Sequence, residues 1–137
     1  MLSHPMTTAH RALLIALFLA LTGGVLAACG EKRIDVAENE RAAAVLFAER
    51  CSGCHTLSEV GTEGSSTNVR TREYKDGPNF DQRHESVNCV LYAIRNGGFS
   101  SGPMPQNIVV GPEAQMLAEF VSKYSKPAEG DVPDCPE

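Results

Sequence analysis

Between Ser86 and Gly97 the apolar side chains Val87, Val90, Leu91 and Ile94 recur at i, i+3, i+4 and i+7, the spacing of one face of an α-helix. Ser86 is a good N-cap for that helix, and Asn96-Gly97-Gly98 stops it because these residues tolerate positive φ. Cys89 falls on the opposite, outward face. An earlier helix is predicted from Asp35 and Glu38, spaced as a capping box, with its start near Val36 and Ala43, Ala44, Phe47 and Ala48 on its apolar side. A last helix opens at Gly111-Pro112, with proline at the first helical position. It carries Leu117, Phe120, Val121 and Tyr124 on one face and is closed by Lys123 and Lys126. The pattern therefore predicts an all-α domain of three main helices joined by long loops. The stretch from His55 to Ser86 is polar and has no period, and a loop of that length in a small domain is usually functional or wrapped around something.

Hydropathy also marks the front of the chain. Residues 1–28 hold a weakly basic start ending at Arg11, an apolar run from Ala12 to Leu21 and small residues before Cys29, the layout of an export leader. Leu26-Ala27-Ala28-Cys29 resembles a bacterial lipobox, in which the cysteine sulfur takes a lipid and becomes the first mature residue. The alternative is an uncleaved anchor, although the stretch from Ala12 to Ala28 falls short of the about 20 residues that usually span a bilayer. Both readings put the domain on the outer face of the cell membrane. The expected organisation is then a leader (1–28), a lipid anchor and tether (29–35), a folded domain (36–126) and an acidic, proline-containing tail (127–137). From Gly30 to Asp35 an extended tether reaches about 20 Å at most.

The run Cys51-Ser52-Gly53-Cys54-His55 brings in the chemistry. Two thiols three positions apart, followed at once by an imidazole, form the attachment signature for c-type haem. Each thiol adds across one vinyl group, and His55 is held beneath the ring to ligate the iron. The competing readings are a thiol redox pair, which wants a βαβ context, and half of a zinc site, which needs a second close-spaced ligand pair. The sequence offers neither.

Haem iron then needs a sixth ligand or an open position. Met1 and Met6 belong to the leader, and Met116 sits mid-helix beside Leu117, where core packing suits it. Met104 lies in Gly102-Pro103-Met104-Pro105, an irregular segment between two helices where an apolar residue has no periodic reason to be. It is the expected distal ligand, the alternative being a loop methionine packed on the haem edge. His4 and His10 fall in the leader, and His84, within Asp81-Gln82-Arg83-His84-Glu85, reads as a solvated histidine at a helix start.

With Cys29 assigned to lipid and Cys51 and Cys54 to haem, Cys89 and Cys135 remain. An even remainder in an exported chain suggests a disulfide between them, the alternative being two unpaired thiols. Composition narrows the partners. Twelve Lys and Arg against 17 Asp and Glu give a formal charge of −5, and −6 once Arg11 leaves with the leader, which argues against nucleic acid. Arg70, Arg72 and Lys75 form a local positive island that faces a partner or a haem propionate, or is simply a solvated loop. The chain has no Trp and only 6% aromatic residues, so a haem would supply much of its apolar core.

These residues, in order, resemble class I cytochrome c of the bacterial, monohaem type over nearly the whole mature chain. The resemblance rests on the N-terminal helix, Cys51-Ser52-Gly53-Cys54-His55, Gly77-Pro78-Asn79-Phe80, Tyr92-Ala93-Ile94-Arg95-Asn96-Gly97-Gly98, Met104-Pro105 and the C-terminal helix. It implies a fold wrapped around one covalently bound haem c, with the carbonyl of Pro78 accepting from the second ring nitrogen of His55. It also implies that the first and last helices cross with Phe120 against a small residue. Here that residue is Ala43 where the family often has glycine, a departure expected to loosen or shift the crossing slightly. The Cys89/Cys135 pair is not a general feature of the family.

The expected function is one-electron transfer in a respiratory or photosynthetic chain, with His55 and Met104 closing the iron to substrate, so the chain is not expected to be an enzyme. Its expected partners are membrane-bound electron donor and acceptor complexes, with no nucleic acid and no small-molecule substrate. The alternatives are an open-site haem enzyme or ligand sensor, and a haem subunit built into a larger oxidase or dehydrogenase.

Overall fold

The computed structural model describes residues 34–98, 103–127 and Cys135. The leader, the proposed lipidation site Cys29 and most of the tail lie outside the described residues. Helix α1 spans Arg41–Arg50, α2 spans Val87–Asn96 and α3 spans Pro112–Tyr124. α3 packs against both of the others.

Each helix end has a local cause. Ser86 caps α2 by accepting from the Cys89 amide at 3.2 Å, and Gly97 closes it in the left-handed region at φ 84°. Pro112 opens α3, where its missing N–H costs nothing. The first helix departs from expectation. Asp35 forms no capping box, because its amide donates instead to the carbonyl of Glu59 at 2.8 Å, tying the entry segment to the loop. A single 3-10 turn, Glu38–Glu40, follows, and the α-helix proper begins only at Arg41.

The connection from α1 to α2 also corrects the all-helical expectation in one detail. Strand β1 (Thr56–Leu57) pairs antiparallel with β2 (Thr62–Glu63), Thr56 opposite Glu63 and Leu57 opposite Thr62. Two-residue strands are too short to show a period of two. Polar side chains help to hold this connection: Asp81 accepts from the amide and hydroxyl of Ser58, and the carbonyl of Ser65 accepts from the hydroxyl of Thr56.

The core joins all three helices. Ala43, Ala44 and Phe47 of α1, Val90, Leu91 and Ile94 of α2, and Leu117, Ala118, Phe120 and Val121 of α3 are buried together with Leu57 and Phe80. Full burial of a side chain such as Phe47 contributes about 2–3 kcal/mol. Ala43 and Phe120 both lie in this core, each 3% exposed. At the rim, Glu40 accepts from Tyr124 Oη at 2.6 Å and from Lys123 Nζ at 2.7 Å, locking the start of α1 to the end of α3.

Candidate functional site: a donor-lined cavity

α1 ends at the motif itself. The amide of Cys51 still bonds the carbonyl of Phe47, and the amides of Cys54 and His55 both turn back to the carbonyl of Cys51 at 3.1 and 3.0 Å. That turn delivers both thiols and the imidazole to one place. Cys51, Cys54 and His55 line a single cavity of about 560 Å³, within the range that small-molecule and cofactor sites occupy. Met104, far along the chain, lines the same cavity with Pro103 and Pro105. Its apolar walls include Phe47, Phe80, Val90, Ile94, Leu117 and Val121, so all three helices contribute to it.

The segment 76–80 positions His55. The Gly77 amide donates to the carbonyl of Cys54 at 2.8 Å and the Phe80 amide to that of Thr56 at 3.0 Å, laying this segment beside the motif. Gly77 must be small here, because a Cβ would stand 2.7 Å from His55 Nδ1. Phe80 stacks on the imidazole, ring centroids 4.9 Å apart and planes 8° from parallel, and meets Phe47 edge-on at 6.0 Å. His55 Nδ1 lies 3.0 Å from the carbonyl oxygen of Pro78. A carbonyl can only accept, so Nδ1 carries the proton and Nε2 keeps a free lone pair. Burial holds the imidazole pKa below its ordinary value, with the Pro78 bond opposing. The result is a neutral, oriented ligand.

The thiols are free, and burial pushes Cys51 up to about 12, with Cys54 adding to the shift. Disulfide exchange needs a thiolate, so the environment of Cys51 is the opposite of that of a reactive thiol. Among the described residues no three His, Cys, Asp or Glu gather as a metal cluster.

Charge collects at the same cavity. Arg50, Arg72 and Lys75 line it, whereas Arg70 is exposed and does not. Lys75 pairs with Asp76 at 2.9 Å, and Arg72 donates to the carbonyl of Asp76 at 3.0 Å.

Two polar residues are placed differently from their sequence reading. His84 is half-buried rather than solvated: its Nδ1 bonds the carbonyl of Lys126 at 3.0 Å, which fastens the entry to α2 onto the end of α3, and it does not line the cavity. Cys89 is 6% exposed, not outward, and it lines the cavity. Its sulfur is bonded to that of Cys135, 46 positions away, with the Cα atoms 4.8 Å apart. Sequence reasoning assigned no role to Gly77, Phe80, Asp76 or Glu85. The first two belong to the same run as Pro78, but nothing local in the sequence marks the two carboxylates.

No protein-family model matches this chain, and no curated protein matches it.

Proposed function

We propose that the chain is a one-electron carrier with haem c attached through Cys51 and Cys54 and ligated by His55 and Met104. The observation that carries this reading is the convergence of all four donors on one largely apolar cavity, with the His55 Nδ1–H bonded to Pro78 so that Nε2 is left to ligate. The donor set fits the group: two free thiols for thioether bonds, an imidazole whose pKa burial lowers, and a thioether of the kind that favours the reduced state. When bound, haem c would supply a reversible one-electron couple in a largely water-excluded site.

The chain's own residues do the rest. Pro78 and Phe80 fix the imidazole orientation, and the apolar wall excludes water. Gly98, at φ 84° in the left-handed region, lies beside Met104, and a Cβ there would be in ordinary contact with its Cβ and Sδ at 3.9 Å. His55 and Met104 would both be available to hold the iron, and with both engaged no position would be left open for substrate, as a carrier rather than a haem enzyme requires. The fold class that belongs to this reading is that of class I cytochrome c. A lipid on Cys29 would confine the domain to the outer face of a bacterial membrane, and its donor and acceptor to neighbouring complexes there.

The test is the visible spectrum of the purified ferric protein beside Met104→Ala. The carrier reading expects the weak charge-transfer band of methionine sulfur on ferric haem in the native protein and its loss in the variant. A high-spin native spectrum with ready binding of cyanide or carbon monoxide would overturn it in favour of an open site.

A further inference from the structure

Two acidic side chains reach the cavity wall with little exposure, and their surroundings differ. Asp76, 3% exposed at its side chain, accepts from Lys75 Nζ at 2.9 Å and from the amides of Ser66 and Glu73, each at 3.1 Å. These bonds, the Lys75 one foremost, hold its pKa at about 2. It is a fixed anion whose work is to fold the loop.

Glu85 is the other. Its side chain is 10% exposed, and Oε1 meets Arg83 Nε at 2.6 Å, while Arg83 itself is 61% exposed and opens to solvent. The Glu85 amide donates to Ser125 Oγ at the end of α3, which draws the residue inward. Burial raises its pKa, with Arg83 and His84 opposing. Two carboxylates of one cavity pushed in opposite directions are suited to different tasks.

We propose that Glu85 is a proton-binding site coupled to the oxidation state of the group held in this cavity, an inference that rests on the electron-carrier reading above. Glu85 releases one proton to water, past Arg83, as one electron passes from the cavity's cofactor to its acceptor. It takes the proton back when a donor returns the electron. The reason is electrostatic: Glu85 and His55 line the same cavity, so a unit change of charge there acts on Glu85 through a low-dielectric wall. Among the described residues, the titratable and charged groups near it come from its own segment, from α2 and α3, and from the loop that lines the same cavity. Arg83 and His84 flank it in sequence, Ser125 faces it from α3, and α2 contributes Cys89, which as a disulfide does not titrate. Arg50 at the end of α1, and Arg72, Glu73, Tyr74, Lys75 and Asp76 in the loop, line the same cavity. Of the acidic ones, Glu73 is exposed and Asp76 is held by the amides of Ser66 and Glu73.

The test is a redox titration of the full haem-loaded chain across pH, with infrared difference spectra between oxidation states. The wild type is expected to lose up to about 59 mV of midpoint potential per tenfold fall in proton concentration between the oxidised-state and reduced-state pKa values of Glu85. A protonated-carboxyl band should appear on reduction. Glu85→Gln should abolish both the slope and the band, and Arg83→Gln should move the window to higher pH, since it removes the neighbouring cation. A slope that survives Glu85→Gln, or a window unmoved in Arg83→Gln, would overturn the inference while leaving the carrier reading intact. If Glu85→Gln does not fold, Arg83→Gln decides by the same shift. A chain that takes up no covalent haem overturns both.

Discussion

Gly77 lies so close to the imidazole of His55 that a Cβ on it would stand 2.7 Å from Nδ1. The ring is therefore boxed between Gly77, the stacked Phe80 and the carbonyl of Pro78, three neighbours that belong to one five-residue segment. Because that segment is also pinned to Cys54 and Thr56 by backbone bonds, it has little freedom to back away.

Gly77→Ala should then cost about 1–3 kcal/mol, the usual price of forcing a methyl group into a packed site. Gly53→Ala, in the motif itself but with nothing within 4 Å of the added Cβ, should cost far less. Urea unfolding of the two variants makes the comparison, and equal losses would contradict the geometry.

Removing the Cys89–Cys135 bond opens a loop of 46 positions, which chain entropy rates at about 4 kcal/mol. Cys135→Ser should therefore lower the melting temperature markedly. Wild type under reducing conditions should melt close to the variant, and a variant as stable as the oxidised wild type would show that the bond contributes nothing.

Ser86→Ala removes the side chain that accepts from the Cys89 amide and should destabilise the protein by about 1 kcal/mol. Ser86→Asp keeps an acceptor at the cap and should recover most of the loss in the same denaturation experiment.

Glu40 gives a pH-dependent prediction. Its hydrogen bonds from Lys123 and then Tyr124 hold its pKa below the ordinary 4.5. A depressed carboxylate contributes stability that is present above the unfolded value and lost as pH falls through the folded one. The stability gap between wild type and Glu40→Gln should thus be widest at neutral pH and shrink well below pH 4.5. A gap that does not change with pH would mean that ionisation of Glu40 is not what joins α1 to α3.

What could be read in the sequence follows the range of the interaction responsible. The faces of α2 and α3, the Ser86 cap, the Gly97 stop and Pro112 are set by neighbours within a turn or two, and the structure has them at those positions. The α-helix proper begins later than the local pattern predicts because the Asp35 amide is taken by Glu59, 24 positions away, which no local pattern announces. His84 and Glu85 read as part of a solvated polar run, yet Lys126 and Ser125 at the far end of α3 draw both inward. Cys89 is outward by helical period alone, yet it is buried at the cavity wall and bonded to Cys135, 46 positions on. The four donors Cys51, Cys54, His55 and Met104 were legible as residues. That they share one cavity is a fact of three-dimensional packing.

The central claim is covalent attachment, and the most direct measurement is the intact mass of the chain after production in a host able to attach haem, read under denaturing conditions that extract loose haem. The account predicts that the chain carries the mass and absorbance of one haem, and that both are lost when Cys51 and Cys54 are replaced by alanine. A chain of unmodified mass, or a chromophore that denaturation releases, would contradict it.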